Sequence, residues 1–112
     1  MCNMTVNALL EKTDLRTVTL PDGDREITGV YIGDLLSWVM GRAQSGDAWI
    51  TIMSNNNSIA VASLADTACI ILAEGVILDE DVKAVAEMKD INVLSSDKTA
   101  YEIAVELSKV LS

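Results

Sequence analysis

The chain has 112 residues, half of them hydrophobic, and a formal net charge of −9 with no histidine. A length in this range makes one domain, read here as residues 1–112, able to bury roughly two-thirds of the surface its unfolded chain exposes. The acidity argues against nucleic acid and anionic membranes as partners, because phosphate attraction needs clustered Lys and Arg, and the 8 basic residues are scattered.

A mean hydropathy of +0.31 is high for a soluble chain. Yet no apolar run approaches the ~18 residues that span a bilayer. The surplus must go into a core covered on both faces or into a subunit interface. Met1-Cys2-Asn3 opens no basic, apolar targeting segment, so a cytoplasmic protein is expected. The two cysteines, Cys2 and Cys69, lack partners at metal-binding spacing. A disulfide between them is not expected in a reducing compartment, and Cys69, inside an apolar run, reads as a small buried hydrophobe.

Thr5 is a capping-type residue, and Val6, Leu9 and Leu10 follow at helical spacing, predicting a short helix over 5–12. Residues 16–20 alternate around Val18 and Leu20 as a strand. Pro21-Asp22-Gly23-Asp24 is a turn. A second strand is predicted over 27–32, with Gly29 marking a bulge or a close backbone approach.

Gly33-Asp34 opens the next helix, 35–41, with Asp34 placed to satisfy its free N–H groups. This helix is apolar nearly all round and needs cover on more than one side. Leu35, Trp38 and Val39 are the candidate interface residues, since Trp is enriched among interface anchors. Ser45-Gly46-Asp47 forms a turn. The β-rich run 48–53 is the next strand and places Trp49 in the core. It ends in Ser54-Asn55-Asn56-Asn57, which can cap a helix over 58–65 built from small residues.

Cys69 to Ala73 is an apolar strand ending in Glu74-Gly75. Asp79-Glu80-Asp81 favours the start of a helix reaching Lys89, with Val82, Val85 and Ala86 as its buried stripe. A last strand is expected over 91–94. Thr99-Ala100-Tyr101-Glu102 matches a capping box opening a terminal helix. The order α-β-β-α-β-α-β-α-β-α predicts an α/β fold: a three-layer α/β/α domain with a mostly parallel sheet of four to five strands.

In open α/β sheets, ligands sit beyond the carboxyl ends of the strands. Those ends supply the candidate ligand-binding residues Asp34, Ser54, Asn55, Asn56, Asn57, Glu74, Gly75, Ser95 and Asp97, all of which also suit capping and turns. Without histidine there is no Ser-His or Cys-His pair, and neither a phosphate loop nor a dinucleotide-binding glycine pattern occurs. No catalytic residue is assigned. Asp34, Glu74 and Asp97 could supply oxygen ligands to a divalent cation, but their spacing does not demand one, so no metal and no cofactor are expected.

The run Asp24-Arg25-Glu26-Ile27-Thr28-Gly29-Val30-Tyr31-Ile32-Gly33-Asp34, with Gly46-Asp47-Ala48-Trp49-Ile50-Thr51, the strand ending at Gly75 and the closing segment Val93 to Glu102, resembles the DRTGG domain family. The resemblance covers nearly the whole chain. It implies a three-layer fold related to the N-terminal domain of HPr kinase, a tendency to dimerise and a regulatory role. The family's namesake residues, a Gly-Asp-Arg after the central strand and a Thr-Gly-Gly ending the next, are here Ser54-Asn55-Asn56-Asn57 and Ala73-Glu74-Gly75. Only Gly75 is kept; the two loops facing the ligand edge have lost an Arg and a Gly and gained amides and a carboxylate, so an anionic ligand is less expected. The function expected is a non-catalytic regulatory or small-ligand-sensing domain acting as a homodimer. The alternative is an adaptor that docks a larger redox or kinase partner.

Overall fold

A computed structural model describes residues 4–111; Met1-Cys2-Asn3, and with them the expectation for Cys2, lie outside the described residues. In chain order the elements are β1 (Met4–Thr5), α1 (Val6–Lys12), β2 (Arg16–Thr19), β3 (Glu26–Ile27), β4 (Gly29–Ile32), α2 (Leu36–Arg42), β5 (Asp47–Thr51), α3 (Asn56–Ala65), β6 (Cys69–Leu72), α4 (Glu80–Met88), β7 (Val93–Ser95) and α5 (Ala100–Leu111). A five-stranded sheet runs β2-β7-β6-β5-β4, and β1 and β3 form a separate ribbon. Strands β4 to β7 are parallel to their neighbours, while β2 is antiparallel to β7.

Strands β5, β6 and β7 are buried along their whole length, as central parallel strands must be when helices cover both faces. Period-two alternation sorts their side chains. Trp49, Ile70 and Val93 are paired across the sheet and point to one core; Ile50, Ile71 and Leu94 are paired and point to the other. The first core is completed by Val39 of α2, Ile59 and Ala62 of α3, and Val82 and Ala86 of α4. The second is completed by Val6 and Leu9 of α1 and by Ile103 and Leu107 of α5. The three helices that cross between parallel strands therefore share one face, as expected when successive strands advance in one direction with crossovers of one hand. The first and last helices cover the other face.

Local capping chemistry sets several helix starts. The Thr5 hydroxyl accepts from Ala8 N at 3.1 Å, Asn55 Oδ1 accepts from Ser58 N at 3.0 Å, and Thr99 and Glu102 bond reciprocally, each satisfying N–H groups that a helix start leaves free. Two expectations are corrected. The predicted strand over 27–32 is two strands. The chain pairs with β1 at residues 26–27 and with β5 from Gly29 onward, and a Cβ at Gly29 would lie 2.6 Å from an Asp47 carboxylate oxygen. A larger residue there would have to displace the Asp47 carboxylate. Asp34 does not cap α2; Leu35 holds the N-cap position and makes no side-chain cap bond.

Candidate functional site

At the carboxyl end of the sheet the loops lie side by side in strand order, and each is held by its own contacts. Asp34, after β4, reaches across to the end of β5: its carboxylate accepts from Thr51 Oγ1 at 2.8 Å and from Ile52 N at 3.0 Å. It fixes the entry to α2 relative to the central strand. The Asn patch divides its labour. Asn55 caps α3 through its side chain, and its carbonyl accepts from Ser58 Oγ at 2.7 Å. Asn56 and Asn57 are exposed in the first turn.

Glu74 and Gly75, after β6, both take left-handed backbone angles, φ +59° and +72°. This turn lets Glu74 N donate to Lys98 O at 2.8 Å and Gly75 N donate to Ser96 O at 2.9 Å. The β6 and β7 loops are thus knitted together through their backbones. A Cβ on Gly75 would come within 3.2 Å of Asp97 Oδ1, and a positive φ is costly for other residues. Both facts give the retained glycine a physical reason.

Asp97 is gripped by Arg16 of β2 in a two-pronged ion pair at 3.0 and 3.1 Å. The guanidinium hydrogen bond, then its charge, holds the Asp97 carboxyl below the usual carboxylate range and raises Arg16 in return. Lys98 bonds Asp14 and Glu106, and the Asp14 bond is the main cause of its raised pKa. Asp34 and Asp97 are each engaged with different partners at different loops. Among the described residues no three His, Cys, Asp or Glu side chains gather closely enough to hold a metal ion.

The connections after β6 and β7 differ in direction. Helix α4 packs on the face shared with α2 and α3, whereas α5 packs on the opposite face. A groove of about 310 Å³ opens on the α4 side of this divergence, lined among others by Arg16, Val18, Ile77, Lys83 and Ser95. Of the residues singled out from sequence, it brings together Gly75 and Ser95; Asp34 and residues 54–57 belong to the other half of the edge. Arg16, Lys83 and the segment 76–78 went unnoticed because their proximity depends on β2 pairing antiparallel with β7.

On the far side, β4 is an edge strand with no further neighbour. Val30 and Ile32 are exposed on it, as are Ile52 just beyond β5 and Leu35, Trp38 and Met40 around α2. Trp38 is 54% exposed and Leu35 60%, and Arg42 stacks 3.9 Å over the Trp38 ring. Val39 differs from them. It is fully buried in its own chain between α2 and the sheet, so the outward face of α2 consists of Leu35, Trp38 and Met40 without it. Trp49 is fully buried, and its indole N–H donates to Gly33 O at 2.9 Å.

The model of the DRTGG domain matches residues 24–110, most of the chain. The chain belongs to the DRTGG domain family. Its fold also matches a solved structure comprising the CBS and DRTGG domains of the regulatory region of Clostridium perfringens pyrophosphatase, complexed with the activator diadenosine tetraphosphate. The TM-score is 0.78 at 12% identity, covering 96% of this chain and 47% of that one. At this identity the likeness is one of fold, and this DRTGG domain spans about half of that structure. No curated protein matches the chain. Among the described residues, no helix is long and apolar enough to cross a membrane.

Proposed function

We propose that this DRTGG domain is a non-catalytic regulatory unit that works as a homodimer, joined through β4 and α2, and that senses a small ligand at the carboxyl edge of its sheet. The observation that carries the dimer is the set of exposed large apolar side chains on the β4 edge and on α2: Val30, Ile32, Leu35, Trp38 and Met40. An edge strand is normally protected by charge, proline or a covering element. β4 has neither charge nor proline, whereas the opposite edge, β2, begins with Arg16. Self-association of a chain with net charge −9 also favours an uncharged strand as the meeting surface.

The regulatory reading is supported by family membership and by the neighbour, whose DRTGG domain belongs to a regulatory region solved with an activator. The non-catalytic reading is supported by the absence of histidine and by the state of Cys69. This thiol is buried, and burial pushes its pKa up to about 12, which suppresses the nucleophilic thiolate. Sedimentation equilibrium tests the dimer. The wild-type protein is expected to be dimeric, and Trp38→Asp to be a folded monomer. A wild-type protein that stays monomeric at high concentration would defeat the reading and leave the same face to a different protein, the adaptor role.

A further inference from the structure

We propose that the groove between β2, β7 and the start of α4 binds a small organic oxyanion, a carboxylate or phosphate monoester carrying a short apolar group, with the Ser95 hydroxyl as a central contact. The inference rests on the ligand-sensing part of the function proposed above and is independent of the dimer.

Four observations converge. The first is Ser95 itself. It is only 8% exposed, it lines the groove, and its hydroxyl has no hydrogen-bond partner among the described residues. The hydroxyl oxygen is open to the groove rather than sealed in the core, so a ligand oxygen can take the place of water there. The side chain's direction follows from register. Ser95 is paired with Leu72, which points to the α4 side of the sheet, and with Arg16 on the other side. Ser95 and Arg16 therefore face the same way, into the groove.

The second observation is charge. The charged residues lining the groove are Arg16, Lys83 and Glu80; with Asp97 on Arg16 the local charge is balanced, on a chain whose total is −9. Arg16 gives two of its five N–H donors to Asp97, so donors remain for a second oxyanion. The third is the start of α4, where Asp79 holds the N-cap position and makes no side-chain cap bond. The N–H groups of that first turn lack the usual side-chain acceptor, although Glu80 and Asp81 in the same turn already complement the helix dipole. The Glu74 and Gly75 N–H groups are not additional receptors, because both donate to the β7 loop.

The fourth observation is topology. Open α/β sheets bind ligands where neighbouring connections leave for opposite faces, and along this edge the divergence falls between β6 and β7. The remaining lining, Val18, Val76, Ile77 and Leu78, is apolar and calls for a hydrocarbon portion on the ligand. A volume of about 310 Å³ is at the lower end of small-molecule sites and limits that portion to a few carbons.

The test is a titration of the isotope-labelled full chain with butyrate, with monobutyl phosphate and with uncharged butyramide, read from the backbone amide signals of Gly75, Lys83 and Ser95. Saturable shifts at these positions with at least one of the two anions, and none with butyramide, are expected; which anion acts separates a carboxylate ligand from a phosphate ester. Ser95→Ala should weaken binding about tenfold or more, the worth of a hydrogen bond to a charged group. Because that hydroxyl makes no bond within the chain, the same variant should unfold at the wild-type denaturant concentration or above it. Equal shifts with butyramide, affinity unchanged in Ser95→Ala, or no shifts with either anion would each overturn the proposal. Sedimentation of the same samples keeps the two readings apart: a dimer that binds no anion loses this site and retains its association surface.

Discussion

Trp38→Asp would separate the proposed association surface from the core with one substitution. The ring is 54% exposed in the isolated chain. A fully buried aromatic side chain removes ~150–250 Å² from water, so roughly 80–135 Å² of Trp38 remains to be covered by a partner. At ~25 cal/mol per Å² this is about 2–3 kcal/mol per protomer. Two-fold symmetry counts the residue twice, giving about 4–7 kcal/mol for the pair. Costs of ordering and desolvation reduce what reaches the binding free energy. A loss of about 4 kcal/mol, near a thousandfold in dissociation constant, is therefore expected. Folding should weaken by less than it takes to unfold the chain, since within it Trp38 gives up its Arg42 stacking, about 0.5–1 kcal/mol at an exposed site, and the nearly half of its surface that is already covered, roughly 2–3 kcal/mol by the same coefficient. Sedimentation equilibrium measures the first quantity and urea unfolding of the monomer the second. Met88→Asp, 83% exposed at the end of α4, is the control and should leave association unchanged. A Trp38→Asp protein that dimerises like wild type, or a Met88→Asp protein that dissociates equally, would refute the placement of the surface.

Three further outcomes are expected. Asn92 is 2% exposed, and its amide bonds Asp22 O, Ala68 O and Asp22 N at 2.7–3.0 Å; Asn92→Ala should cost roughly 2–4 kcal/mol, seen as a lower urea midpoint at unchanged slope, and a loss below about 0.5 kcal/mol would show that these bonds contribute little. The Asp66 carboxyl is held below its usual range by hydrogen bonds from Arg25 and then Ser45. A depressed folded pKa contributes stability above the unfolded value, about 4, and loses it as pH falls through the folded value. The stability gap between wild type and Asp66→Asn should therefore close with acidification below about pH 4, and a gap that stays constant to lower pH would contradict the ion pair. In a Cys2→Ser background, Cys69 should resist thiol reagents at mildly alkaline pH until the chain unfolds, given its burial and raised pKa; rapid labelling of the native protein would overturn that burial.

The sequence by itself determined the elements whose causes are local. Thr5, Asn55 and the Thr99–Glu102 box announce helix starts because a cap and its N–H partner lie within three residues of each other. The apolar runs holding Trp49 and Cys69 announced buried central strands, since only a strand covered on both faces can keep successive apolar residues buried. The alternation of these runs with helices was enough to fix a three-layer α/β domain. Candidate residues at strand ends were legible for the same reason, because a strand end is a local feature.

Tertiary structure decided which of those residues meet. Arg16 and Asp97 are 81 residues apart, and their pairing follows from β2 lying antiparallel beside β7, an edge choice that no local pattern encodes. The same pairing aims Ser95 and Arg16 into one groove. Asp34 reads as a helix cap from its neighbours, yet Thr51 and Ile52 offer it better-placed donors once β5 lies alongside β4. The apolar run of α2 gave no sign of which side would be covered. Packing turned Val39 inward and left Leu35 and Trp38 outside, because one helix meets the sheet along one stripe and, among the described residues, no further element covers the rest.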